Sequence, residues 1–177
     1  MTPSNPTIDH LMQKHKDMIG KDYERYKNHV YRVFLNCILL DNNPTNEEKY
    51  AIASVFHDIG IWTDHTFDYL IPSIAKANQY LKEVNKVTWI EEITLMIDMH
   101  HKVSKYQGKH NKTVEIFRKA DWIDVSLGFL TFGVNKQAIK ANQKKYPNLG
   151  FHLFLIKSTL QAFWKHPLKN SLPMFKK

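Results

Sequence analysis

Thr45-Asn46-Glu47-Glu48-Lys49-Tyr50-Ala51-Ile52-Ala53-Ser54-Val55-Phe56-His57-Asp58-Ile59-Gly60 reads as a helix with both ends marked. Thr45 to Glu48 has the capping-box pattern, in which a hydroxyl and a carboxylate three residues apart satisfy the orphan amides of a helix start. Gly60 is placed to stop the helix. Asp58 then falls at the negative end of the helix dipole, which disfavours an anion by roughly 0.3 to 1 kcal/mol. A metal ion would reverse that sign. His57 and Asp58 diverge by about 100° around a helix, yet both reach an ion lying off its end.

Helical spacing continues on both sides. In residues 21–41 a stripe runs through Tyr26, Val30, Val33, Phe34, Cys37 and Leu40, and Asn42-Asn43-Pro44 ends it. Residues 67–84 read as a helix with Pro72 in its first turn or at a kink. Thr88-Trp89-Ile90-Glu91 is a second capping-box match, and its stripe Ile90, Ile93, Ile97 leads into His100 and His101. Further helices are expected over 113–127, 135–146 and 150–165, the last two stopped by Pro147 and Pro167. No stretch shows the alternation of a strand. The expected class is all-α, a single-domain bundle of about seven or eight helices, with residues 1–20 as an N-terminal helical extension and 21–177 as the main domain.

Composition agrees. The chain has 177 residues, 43% hydrophobic and 24% charged, the proportions of one soluble globular domain. Its formal charge of +8 favours an anionic partner, such as a phosphate ester, a nucleotide, a nucleic acid or a membrane surface. Cys37 is the only cysteine, which excludes an intrachain disulfide and a thiolate zinc site and fits a reducing compartment. The apolar runs are too short to span a bilayer. The polar start with Pro3 and Pro6 is unlike a secretory signal, so a cytoplasmic location is expected and no membrane partner.

Several polar residues occupy core positions. His29 projects from the buried side of its helix, three residues after Tyr26 and four before Val33. Asp121 stands in the series Val114, Phe117, Asp121, Val125, where a fourth apolar residue is expected. A buried carboxylate there needs a positive partner or takes up a proton. Nitrogen and oxygen donors without sulfur suit Zn, Mn, Fe or Co.

His29, the pair His57-Asp58 and Asp121 together resemble the H…HD…D signature of the HD-domain metal-dependent phosphohydrolase superfamily. The contexts Ser54-Val55-Phe56-His57-Asp58-Ile59-Gly60 and Lys119-Ala120-Asp121-Trp122-Ile123-Asp124 are similar to the family's wording, and so is Thr66-Phe67-Asp68 through Tyr80-Leu81. The resemblance covers about residues 23–128. It implies an all-α fold of the HD-domain type that holds a divalent transition metal (Mn, Fe, Zn, Co or Ni) between helices through His29, His57, Asp58 and Asp121. One ion is expected, with a second possible. The implied activity is metal-assisted hydrolysis of a small phosphoester or nucleotide.

Within that reading Asp58 is both ligand and catalytic residue. His100 and His101 bind a second ion, contact phosphate, or donate a proton to the leaving group. Lys105 and His65 are candidates to meet an anionic substrate, against the plainer reading of a surface lysine and a turn residue. Asp124 is expected to bond locally or to orient a ligand. Cys37 is expected in the core, His152 and His166 on the surface, and Lys102, Lys105, Lys109, Lys112, Arg118 and Lys119 on a basic face. The aromatic-rich stretch 151–164 suits a buried helix face or a homodimer contact.

Two other enzymatic readings use the same scaffold. One is a dinuclear iron oxygenase resembling myo-inositol oxygenase; the other is a mononuclear hydratase or lyase of the cyanamide hydratase type. A third reading is a degenerate HD module that binds a nucleotide or partner without catalysis. No helix-turn-helix, zinc-finger or RNA-binding motif is present.

Overall fold

The computed structural model describes residues 4–63 and 69–154, and all their regular structure is helical. The helices are α1 (Pro6–Lys14), α2 (Lys16–Ile19), α3 (Tyr23–Leu40), α4 (Glu47–Phe56), α5 (Gly60–Thr63), α6 (Leu70–Glu83), α7 (Ile90–Met99), α8 (Asn111–Val125) and α9 (Lys136–Lys145). The core pairs α3 with α8; α4 packs on α3, α7 packs on α8, and α4 and α7 touch each other. Tyr26, Val30, Val33 and Cys37 on α3 are wholly buried, as are Val114, Phe117 and Ala120 on α8, the four-and-three spacing that puts one helical face inward. The first residues belong to the same core, since Ile8, Leu11 and Met12 of α1 are also wholly buried. Asn5 caps α1 by accepting from the amides of Thr7 and Ile8, with Pro6 at the first helical position.

Neither capping box forms. Pro44–Asn46 and Val87–Trp89 are short 3-10 turns, and α4 and α7 begin only at Glu47 and Ile90, without a side-chain cap. In the first case Asn43 takes the role, accepting from both the amide and the hydroxyl of Thr45. Pro72 lies in the first turn of α6 as expected. The far half of the helix expected over 150–165 lies outside the described residues.

Gly60 does not act as a left-handed cap; it opens α5, and its φ is not positive. It is needed for space. A Cβ there would stand 2.2 Å from the Tyr69 carbonyl oxygen and 2.9 Å from both Pro72 Cγ and Ser73 Oγ. The Gly60 amide donates to Ser73 Oγ at 2.9 Å, so the start of α6 is drawn against the chain two residues after Asp58.

Candidate metal centre

Four chain segments place polar side chains in the middle of this core. His29 comes from α3, His57 and Asp58 from the end of α4, His100 and His101 from the end of α7, and Asp121 and Asp124 from α8. His29, His57, Asp58, His100, Asp121 and Asp124 are all buried, and His101 is half-buried.

The three buried imidazoles are held the same way. His29 Nδ1 donates to Asp124 Oδ2 at 2.7 Å, His57 Nδ1 to the Ser54 carbonyl at 2.8 Å, and His100 Nδ1 to the Ile97 carbonyl at 2.6 Å. With Nδ1 committed as donor, each neutral ring turns an Nε2 lone pair inward, as metal-ligating histidines do.

Those lone pairs meet. His29 Nε2 and His57 Nε2 are 2.9 Å apart. Asp58 Oδ2 lies 3.6 Å from the first and 3.4 Å from the second, and Asp121 Oδ1 lies 3.7 and 3.9 Å from them. Donors about 2.1 Å from a common ion stand about 3.0 Å apart at right angles and about 3.4 Å apart in a tetrahedron, so the spacings of His29, His57 and Asp58 suit one ion, with Asp121 facing the two imidazoles from slightly farther off. The groups that Asp121 faces are thus the Nε2 edges of two imidazoles.

Asp58 also faces the other way. Its Oδ1 is 3.5 Å from His100 Nε2, and both atoms are buried without a hydrogen-bond partner. Orphaned buried polar atoms cost about 1 to 3 kcal/mol each, and two lone-pair donors aimed at one space mark a place for a cation. Asp58, His100 and His101 form a second group close enough to share an ion, beside that of His29, His57 and Asp58.

Electrostatics follow from this crowding. Burial pulls the His29 pKa down, but Asp124, Asp58 and Asp121 outweigh it and raise it to about 9. Burial lifts the Asp121 carboxyl above its usual range, while neighbouring imidazoles outweigh burial and hold Asp58 well below it. His101 is kept neutral by burial and by His100 beside it. Its Nε2 meets the Tyr69 hydroxyl, whose own pKa burial and Asp58 push far up, so Tyr69 is a hydrogen-bond donor.

A supporting layer surrounds these groups. Asp124 accepts from Arg32 Nε at 2.5 Å and Arg32 Nη2 at 3.0 Å as well as from His29, and Arg32 also donates to the Tyr146 carbonyl. Asp124 therefore orients His29. Phe151 stacks on the His29 ring at 4.3 Å, and Phe117 meets His57 edge-on. Tyr26 packs near both rings and donates to the Val55 carbonyl at 2.7 Å.

No family model, curated protein or solved structure matches this chain.

Two expectations fail here. Arg118 is not part of an exposed basic face: it is buried, clasps Glu115 at 2.7 and 2.9 Å, and donates to the Lys102 carbonyl. With Trp122 donating to the same carbonyl and Glu115 accepting from the Tyr106 amide, it fastens the α7–α8 loop to α8. Nor is His152 a plain surface residue, because it is half-buried and donates from Nε2 to the Asp124 carbonyl at 2.8 Å. Cys37 is buried as expected. Lys105 stands exposed on the α7–α8 loop, outside the buried cluster. His65 and His166 lie outside the described residues.

Arg32, Tyr69 and Phe151 were not legible as site residues. Arg32 did leave a trace, an arginine three residues past His29 on the same helix face. Nothing marked Tyr69, whose place depends on the close approach at Gly60.

Proposed function

We propose that this chain is an HD-type metal-dependent phosphohydrolase acting on a small phosphoester or nucleotide. The observation that carries the reading is the opposed Nε2 pair of His29 and His57, 2.9 Å apart with both Nδ1 atoms otherwise engaged. His29, His57, Asp58 and Asp121 would hold the ion. When bound, it would lower the pKa of coordinated water from 15.7 towards about 7 and offset charge on a phosphoryl oxygen.

The chain's own groups then divide the work. Asp58 accepts positive charge on both of its oxygens, and Asp124 with Arg32 keeps His29 in the tautomer that points Nε2 inward. The neutral His101 accepts the hydrogen bond of the Tyr69 hydroxyl on Nε2, which fixes its ring beside Asp58 and His100. The helix ends and aromatic walls exclude bulk water from the donor set, which strengthens every charge interaction inside it.

One observation favours a second reading. The orphaned Asp58 Oδ1 and His100 Nε2 fit a second ion bridged through Asp58, the donor arrangement that a dinuclear oxygenase on this scaffold also needs. Elemental analysis of protein purified without chelator, followed by a phosphoester panel with Mn, Co, Ni or Zn, tests both. Metal content near one or two per chain with phosphate release is expected. Absence of any transition metal would sink the reading, and two irons with oxygen uptake and no phosphate release would favour the oxygenase.

A further inference from the structure

All 17 acidic residues of the chain lie at or before Asp124, whereas nine of its 25 basic residues lie after it. The first 124 residues thus carry a formal −1 and the last 53 carry +9. Excess positive charge is a property of one end of the sequence, not of the whole.

The described part of that end is also where apolar side chains are left in solvent. Between α8 and α9, Phe129 is 87% exposed, Leu127 55% and Leu130 44%, and Phe132 is exposed too. The turn is built to present them. The Gly128 amide bonds back to the Ile123 carbonyl and the Leu127 amide to Asp124, a helix-ending motif whose left-handed position normally takes glycine. Here that position holds Leu127 at φ 55°, and Phe132 repeats the conformation at φ 48°. Two bulky apolar residues in strained conformations at an exposed tip are costly for the monomer alone.

Helix α9 stands beside this tip, because Gly128 packs on Ile139 and Gln143. Lys136, Lys140 and Lys144 follow one another every four residues along its exposed surface. Lys119 reaches over the Phe132 ring from α8. Residues 155–177 add five lysines and no acidic residue.

We propose that this end of the molecule docks on an anionic lipid bilayer, with Leu127, Phe129 and Leu130 entering the headgroup boundary and the α9 lysines contacting anionic headgroups. Apolar tips ringed by basic side chains are what such a surface binds. A nucleic acid would use aromatic rings as stacking platforms, but it offers nothing to the aliphatic Leu127 and Leu130. The contact is peripheral: no helix among the described residues is long and apolar enough to cross a membrane. It is also independent of the metal centre, since it uses none of the same side chains.

Vesicle flotation of the full chain tests it, using phosphatidylcholine alone and phosphatidylcholine with roughly a third phosphatidylserine. The expected result is binding to the anionic vesicles only, weakened by salt. Phe129→Ser/Leu130→Ser should cut it on the order of tenfold, as should Lys136→Glu/Lys140→Glu/Lys144→Glu, each with an unchanged far-ultraviolet circular dichroism spectrum. Equal binding to neutral vesicles, no binding, or binding that only the lysine variant weakens would overturn it. So would a wild-type dimer that Phe129→Ser/Leu130→Ser turns into a monomer, which would make a second copy the occupant. Tighter binding to a single-stranded RNA oligonucleotide than to the vesicles, lost in the same variant, would assign the tip to nucleic acid instead.

Discussion

His29 Nε2 and His57 Nε2 point at each other across 2.9 Å, although each ring already spends its Nδ1 proton on another acceptor. Two lone pairs in that position repel unless something positive lies between them. A proton on His29 meets the need in the metal-free protein, consistent with its pKa of about 9. A metal ion must displace that proton, so affinity should fall steeply as pH drops.

Adding Zn or Mn to chelator-treated protein should therefore raise its melting temperature, with about 2.7 kcal/mol gained at a metal concentration 100 times Kd. Asp58→Ala should abolish the gain and retain no metal by elemental analysis, while helical content by circular dichroism stays close to wild type. A metal-dependent shift of normal size in Asp58→Ala would show that the ion sits elsewhere.

Asp124 touches the centre only through His29, so its effect should be graded. Asp124→Asn should weaken metal affinity by roughly 10- to 100-fold, the usual cost of losing an orienting carboxylate. It also leaves Arg32 buried opposite a neutral group, a loss of about 3 to 5 kcal/mol by comparison with other broken buried pairs. Calorimetric titration with metal at a temperature where the variant is folded separates the two effects. Wild-type affinity in a destabilised Asp124→Asn would confine this residue to a structural role.

The helices were legible because their apolar spacing survives folding almost intact: Tyr26, Val30, Val33 and Cys37 on α3 are all buried. His29, Asp58 and Asp121 stood out for the complementary reason, being polar residues in that apolar register. Helix starts were misread, since Asn43 and the 3-10 turns after it satisfy the amides that a capping box would serve. Arg118 was misread because charge says nothing of burial when the partner, Glu115, is one turn away on the same helix. Tyr69 and Phe151 reach the site through contacts between distant segments, which no periodicity records.

Gly60 offers a test of that kind of contact. Gly60→Ala forces a methyl group into the Tyr69 carbonyl and Ser73, and overpacking of this sort costs about 1 to 3 kcal/mol or more. The start of α6 should shift, carrying Tyr69 away from His101. Urea unfolding should show the loss, and unaltered stability would mean that the approach is looser than described.

Glu92 predicts the acid limb of stability. It is buried at the junction of α4, α7 and α8, where it accepts from Lys49 Nζ at 2.7 Å and Thr113 Oγ1 at 2.5 Å, with His110 Nδ1 3.8 Å away. Burial alone would raise its pKa, but the bonds to Lys49 and Thr113 prevail and lower it. A carboxyl whose folded pKa is depressed stabilises the fold above its unfolded value of about 4.3, and that contribution disappears as pH falls through the folded value. Glu92→Gln should thus cost about 1 to 3 kcal/mol at about pH 7 and less at about pH 3, below the unfolded value. Urea midpoints of the two proteins at both pH values measure the difference. If the gap between them stays constant, the Lys49 pairing contributes nothing and the junction is held by packing alone.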